Sequence, residues 1–359
     1  MVTRRLGHPT IIPMAKNVKK TVGIVAGVIL GATLIYFSGG VIVERLVANA
    51  VFNHRSPEPN DPKNHKAGMY LSQKDFPALS TRVELTFVSG GNTLTGYYYD
   101  TPSKDVVLFA HGMNSYADGP EAVVENYFVE AGYDVFAIDL SASGKSEGTS
   151  MVNLYQSAYD VAAAERYLRE NNRVTGSLIL SGYSWGGFGA AASLGLGAKA
   201  DKLLTFSAYD CPYEMMIHSA SERVGQLSVI SVPCFALSTL MFHGENNFRK
   251  ASDAVKSAGI PAMLIQGSED KMVPLSGISL YDHCPDAVRY EVRGGHEVPW
   301  VSVSARQYVE NTVKPELAKQ EAISEEKAQE YLAGLDKKRT SDLDVELFLR
   351  IDDFLRTGK

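Results

Sequence analysis

Cysteine is scarce in this chain of 359 residues, with only Cys211, Cys234 and Cys284. Three is too few and too odd a number for a disulfide framework, although one pair could form outside the cell, and their spacing suits no metal site. Asn-X-Ser/Thr sequons are absent, so the chain has no standard glycosylation acceptor, which favours a bacterial setting. A basic excess is missing too, since 35 Lys and Arg face 41 Asp and Glu for a formal charge of −6. Nucleic acid is therefore not an expected partner, because phosphate binding needs clustered basic residues on the folded domain. There is no internal repeat or low-complexity tract, which removes solenoids, and a hydrophobic content of 45% removes disorder.

Charge is absent altogether from residues 21–43. At about 1.5 Å per residue that stretch reaches roughly 34 Å as a helix, enough for a hydrocarbon core of about 30 Å. One transmembrane helix is expected there. Ala48-Asn49-Ala50 resembles a signal-peptidase site, so a cleaved leader is the rival reading, but Glu44 and Arg45 interrupt the approach to it. Residues 1–20 hold Arg4, Arg5, Lys16, Lys19 and Lys20 and no acid, a flank that is retained in the cytoplasm during insertion. The expectation is a single-pass protein of the plasma membrane with its folded domain outside the cytoplasm. Gly23, Gly27 and Gly31 recur every fourth residue, a face that could pack two such helices together, or simply the glycine common in membrane helices.

Beyond the apolar stretch, residues 44–80 lack apolar periodicity and read as a stalk, and residues 81–359 read as the folded domain. Runs 83–88 and 93–99 flank Ser89-Gly90-Gly91-Asn92 and predict an antiparallel hairpin. Short continuous apolar runs follow at 106–110, 135–138, 178–180, 203–206, 262–265 and 288–292. With helical stretches between them they predict buried parallel strands in one doubly wound α/β sheet. Residues 207–259 exceed a simple crossover and are read as a small helical cap. Residues 314–338 are charged, helix-forming and read as a solvated insertion; residues 341–356 read as an amphipathic helix.

Gly182-Tyr183-Ser184-Trp185-Gly186 follows a strand and opens a small-residue helix, the context of a nucleophile elbow. Glycines flanking the serine permit the sharp turn, and the helix N-terminus beyond it favours negative charge. Gly144-Lys145-Ser146-Glu147-Gly148 has the same pattern but lies in a loop, so Ser146 is read as a turn residue. Serine is a weak nucleophile at its ordinary pKa and needs a base and an orienting carboxylate. Asp270 follows the strand at 262–265 and His296, after Gly294-Gly295, follows the strand at 288–292. Neighbouring strand ends of a parallel sheet meet in space, which would gather Ser184, Asp270 and His296, with Glu269 as the alternative acid. The main-chain N–H groups of Met113, after His111-Gly112, and of Trp185 are the candidate oxyanion donors.

Taken together, these motifs resemble the α/β-hydrolase superfamily. Resemblance is greatest to serine esterases, monoacylglycerol lipases and lysophospholipases near the proline-aminopeptidase-like serine hydrolases, over roughly residues 81–359. The stretch 139–148 is similar to the family's D-x-R-G-x-G-x-S-x-G loop, but Ser141 and Ala142 stand where the family has Arg and Gly, so that loop's salt bridge is in doubt. The resemblance implies an α/β-hydrolase fold and hydrolysis through an acyl-enzyme, with neither metal nor organic cofactor. Met215, Met216, Ile217, Phe235, Leu237, Leu240, Met241 and Phe242 make the cap apolar. Of these, Met215, Met216, Phe235 and Leu240 are the candidate substrate contacts, as acyl-chain wall or as ordinary cap packing. An ester substrate, a small molecule or a lipid ester such as a lysophospholipid, is the leading expectation. A peptidase or acyltransferase on the same triad, or an inactive membrane-tethered binding domain, are the alternatives.

Overall fold

The computed structural model of the protein describes residues 14–57, 64–102, 104–151, 153–225 and 228–359. Residues 1–13 of the expected basic segment, Arg4 and Arg5 included, lie outside the described residues. A hairpin of β1 (Val83–Ser89) and β2 (Asn92–Tyr99) turns at Gly90 and Gly91, both at positive φ, and β2 lies antiparallel against β4 (Asp134–Ile138). With β3 (Val106–Ala110), β5 (Leu178–Tyr183), β6 (Lys202–Phe206), β7 (Ala262–Gly267) and β8 (Val288–Val292) these strands make one eight-stranded sheet. Its order is β1-β2-β4-β3-β5-β6-β7-β8, and every pairing from β4 onward is parallel.

Strands β3, β4 and β5 are buried at every residue, which is why they read as unbroken apolar runs. Alternation along each strand still divides the core. Val107, Phe109, Val135 and Ala137 face α3 (Ala122–Glu130) and the last helix, Val345–Thr357, on one side. Leu108, Leu180 and Phe136 face α4 (Gln156–Glu170) and α5 (Trp185–Ser193) on the other.

Three sequence expectations are corrected here. First, the segment read as a stalk is packed. It holds the end of α1 (Met14–Phe52) and the short α2 (His65–Met69), and Met69, Tyr70 and Leu79 belong to the main core, under Ala328 and Leu332 of the helix Glu325–Ala333. Burial of a few well-spaced apolar side chains by an element 250 residues away leaves no local period to read. Second, the cap is shorter than 207–259. Its helices are α6 (Pro212–Val224) and α7 (Ser228–Phe242), whereas α8 (Ala251–Ala258) buries Ala251 and Val255 in the sheet's own core as a crossover helix. Third, the charged stretch 314–338 is solvated on one face only, because Leu317, Ala328 and Leu332 enter the core.

Candidate active site

Ser184 joins β5 to α5 at φ 52° and ψ −111°, a backbone state that an L-residue adopts only where the surroundings impose it. The surroundings here are close. The Ser184 N–H donates to the Phe206 carbonyl at 2.7 Å, the Phe188 N–H donates to the Ser184 carbonyl at 2.9 Å, and a Cβ on Gly186 would meet the carbonyl oxygen of Ala110. Glycine at 186 is thus required by approach of the elbow to β3.

His296 Nε2 lies 2.8 Å from Ser184 Oγ, and its Nδ1 lies 2.7 Å from Asp270 Oδ2. Asp270 has no exposed side chain and is held on all sides: Oδ1 accepts from the N–H groups of Met272 and Val273 at 2.9 and 2.8 Å, and Oδ2 accepts from Gln266 Nε2 at 2.9 Å. These contacts fix the carboxylate toward Nδ1–H, which leaves Nε2 as acceptor toward serine. Glu269 has no such contact with His296; its N–H donates to the Gly294 carbonyl. Tyr183, fully buried and pushed well above the usual phenol pKa by burial, donates to the His296 carbonyl at 3.0 Å.

Met113 and Trp185 both border the cavity beside Ser184, and a Cβ on Gly112 would lie 3.6 Å from the serine Cβ. Among the described residues neither N–H donates to a main-chain acceptor. The loop carrying Met113 is braced from below. Glu121 accepts from the Gly112 N–H at 3.3 Å and from Ser115 Oγ at 2.6 Å. His111 Nε2 accepts the Leu140 N–H at 3.1 Å, so its Nδ1 carries the hydrogen donated to the Gly112 carbonyl at 2.7 Å. Burial keeps that ring neutral by lowering its pKa.

The cavity over Ser184 measures about 670 Å³ and is lined by Phe52, Leu154, Tyr209, Met215 and Met272, with Glu222, Arg223, Lys271 and Glu297 among its polar residues. Of the cap residues expected to touch substrate, Met215 is there. Met216, Phe235 and Leu240 are not among the lining residues, which corrects that expectation. One step along a helix turns a side chain by about 100°, so Met216 packs instead with Ala48, Phe52 and Leu154. Phe235 is buried on the inner side of α7, and Leu240 faces outward, 55% exposed.

Ser146 is a turn residue, its Oγ donating to the Asp139 carbonyl at 2.5 Å and accepting the Thr95 N–H at 2.9 Å. The loop around it lacks the family arginine but not a guanidinium. Arg55 arrives from the end of α1 and donates to the carbonyls of Gly144, Ser146 and Gly148 at 2.9, 3.0 and 2.6 Å. Sequence reasoning passed over Phe52, Arg55, Glu121 and Gln266. Only Gln266 carried a local signal, four residues before Asp270 at a strand end.

The strand order, the strained elbow after β5 and the aligned Ser184, His296 and Asp270 define the α/β-hydrolase fold. Within it, residues 101–224 match the family model described as serine aminopeptidase, S33. A curated relative, the multifunctional-autoprocessing repeats-in-toxin protein of Vibrio cholerae, is 33% identical over 116 residues, 29% of this chain, and the chain spans only 2% of that protein's length. Among solved structures, a Pyrococcus furiosus esterase is 18% identical with a TM-score of 0.49, covering 78% of this chain and 95% of its own. The acylaminoacyl peptidase of Pyrococcus horikoshii is 17% identical with a TM-score of 0.45, covering 67% and 41%.

Proposed function

We propose that this hydrolase cleaves carboxylic esters through an acyl-enzyme on Ser184, at a membrane to which α1 anchors it. The continuous hydrogen-bonded line from Ser184 Oγ through His296 to the buried Asp270 carboxylate carries the reading. Ser184 Oγ attacks the ester carbonyl carbon as its proton passes to His296 Nε2, and the carbonyl oxygen becomes an oxyanion received by the N–H groups of Met113 and Trp185. Collapse breaks the bond to the alcohol, which leaves with the proton from His296. Water, deprotonated by His296, then attacks the acyl carbon and releases the acid and free Ser184. The Asp270 carboxylate steadies the imidazolium.

Apolar side chains such as Phe52, Met113, Met215 and Met272 favour an acyl chain in the cavity. An aminoacyl substrate is the second reading, supported by the description of the matched family and by Glu222 in the cavity lining. Glu297 is a poorer ammonium partner because Lys314 already lies 3.0 Å from it. A hydrolysis panel of esters of graded chain length, lysophospholipids and aminoacyl amides separates the two: esters should be cleaved fastest, and faster release from aminoacyl amides would reverse the assignment. Membrane anchoring is supported by Lys20–Leu46, a stretch of 27 residues whose most apolar window has a mean hydropathy of 2.0 and is unburied.

A further inference from the structure

Helix α7 has no charged residue from Ser228 to Phe242, and its last three turns form an apolar helix too short to span a bilayer. A short apolar helix of this kind is normally either buried in a core or seated at an interface. Only one of its sides is buried. Cys234, Phe235, Ser238 and Thr239 turn inward, while Leu240, Met241 and Phe242 are 55, 61 and 51% exposed and Leu237 joins them on that side.

The inward side meets the apolar helix α1 in step along its length. Cys234 Sγ reaches the Tyr36 carbonyl at 3.7 Å and lies against Gly40, where a Cβ would collide with it. Further on, Ser238 Oγ donates to the Glu44 carboxylate, Arg45 lies 3.3 Å from His243 Nε2, and its guanidinium sits 4.6 Å from the centre of the Phe242 ring. Rising numbers on one helix meet rising numbers on the other, so the two run side by side in the same direction. Gly40 precedes Leu46, the end of the candidate span, by about 9 Å of helix. Glycine at 40 is what lets the helices come this close. Exposed Ile42, Val43 and Leu46 of α1 extend the apolar face.

We propose that α7 is a second membrane element, seated in the leaflet next to the folded domain beside α1, with Leu237, Leu240, Met241 and Phe242 facing lipid. The inference rests on the reading of α1 as a membrane anchor. Its occupant is the bilayer rather than a protein, because α7 is packed lengthwise on α1, which among the described residues is the one helix long and apolar enough to cross a membrane. A consequence for the cavity follows from connectivity. Phe52 closes α1 and Met215 belongs to α6, which leads into α7, so one wall of the cavity is carried by an element that meets lipid and another by the helix next to such an element in sequence.

Depth-dependent quenching tests this on the full-length protein in vesicles of phosphatidylethanolamine and phosphatidylglycerol. Single environment-sensitive labels are placed on Leu240→Cys, on Val28→Cys in α1 and on Leu349→Cys, exposed on the last helix, with unlabelled background set by the wild-type protein, whose three cysteines are buried. Labels at 240 and 28 should be quenched several-fold more by nitroxide-bearing lipids than the label at 349, and iodide should quench only the last. A label at 240 that behaves like 349 while 28 responds to lipid overturns the proposal and leaves the anchor standing. Loss of lipid quenching at 28 overturns the anchor, and with it the seating of α7 beside a spanning helix. Shielding of 240 from both quenchers means a protein covers α7 and also overturns the proposal.

Discussion

Ser184 is held at φ 52° by main-chain bonds on both sides, and strain of this kind costs about 1–3 kcal/mol that the fold must offset. Ser184→Ala keeps that backbone, so it should retain the wild-type melting temperature while kcat falls by roughly a million-fold, measured on the best ester of the panel. Ser146→Ala should do the opposite: activity persists, but the buried Thr95 N–H loses its acceptor and unfolding by urea should show a loss of about 1–3 kcal/mol. Asp270→Asn should lower kcat by about ten-thousand-fold through the wrong histidine tautomer, with Glu269→Gln mild; a severe effect at 269 alone would move the acid by one residue. Asp139 offers a pH test. Burial raises its pKa from 3.8 to about 6, so the native state holds this proton more tightly than the unfolded chain. The stability it contributes is fully present below pH 3.8 and is lost as pH rises through 6; Asp139→Asn should flatten that part of the profile of melting temperature against pH. At this scale the sequence was most legible where chemistry sits at strand ends, as at Ser184, Asp270 and His296. It was silent on Glu121, Arg55 and Phe52, whose roles come from partners brought close only by folding.

At the level of elements, the strands were readable because each buried run is apolar throughout and glycines or turn residues bound it. The segment before β1 was not, since Met69, Tyr70 and Leu79 in it enter the main core, with Leu71 and Phe76 packed against it, and no local period links them. Its start is a clasp. Besides Arg55, Ser56 N–H donates to the Ala142 carbonyl at 2.8 Å, the Met151 N–H donates to the Phe52 carbonyl at 2.9 Å, and His54 Nε2 lies 2.9 Å from Asn114 Oδ1 beside Met113. Arg55 brings a guanidinium to this loop from the end of α1, which the loop's own sequence could not reveal. Arg55→Ala removes three charge-assisted hydrogen bonds from a half-buried site, for which a loss of about 1–3 kcal/mol is expected. Arg55→Lys should recover only part of it, because an ammonium cannot match the planar fork. Equal melting temperatures for all three proteins would show that the clasp does not hold the loop.

For the whole molecule, the reading of α1 as an anchor makes one helix serve two environments. Helix α1 has 39 residues, about 58 Å, nearly twice a hydrocarbon core. Its apolar part is exposed, whereas Glu44, Ala48 and Phe52 near its end are buried against the cap and the cavity. Cutting after Ala50 would strip away Ala48 and the Glu44 contact with Ser238, so retention of the helix is the expected outcome. Intact mass of the protein isolated from membranes should therefore include residues 1–50; a mature chain beginning at Val51 would make the segment a leader. With the helix retained, the expected orientation has the N-terminus in the cytoplasm, because five basic residues lie within 1–20 whereas Glu44 and Arg45 at the other end of the apolar stretch offset each other. Protease added to spheroplasts should digest the hydrolase domain and spare a tag placed before Met1. Protection of the domain with loss of the tag would invert the orientation, and the ester substrate would then have to be sought in the cytoplasmic leaflet.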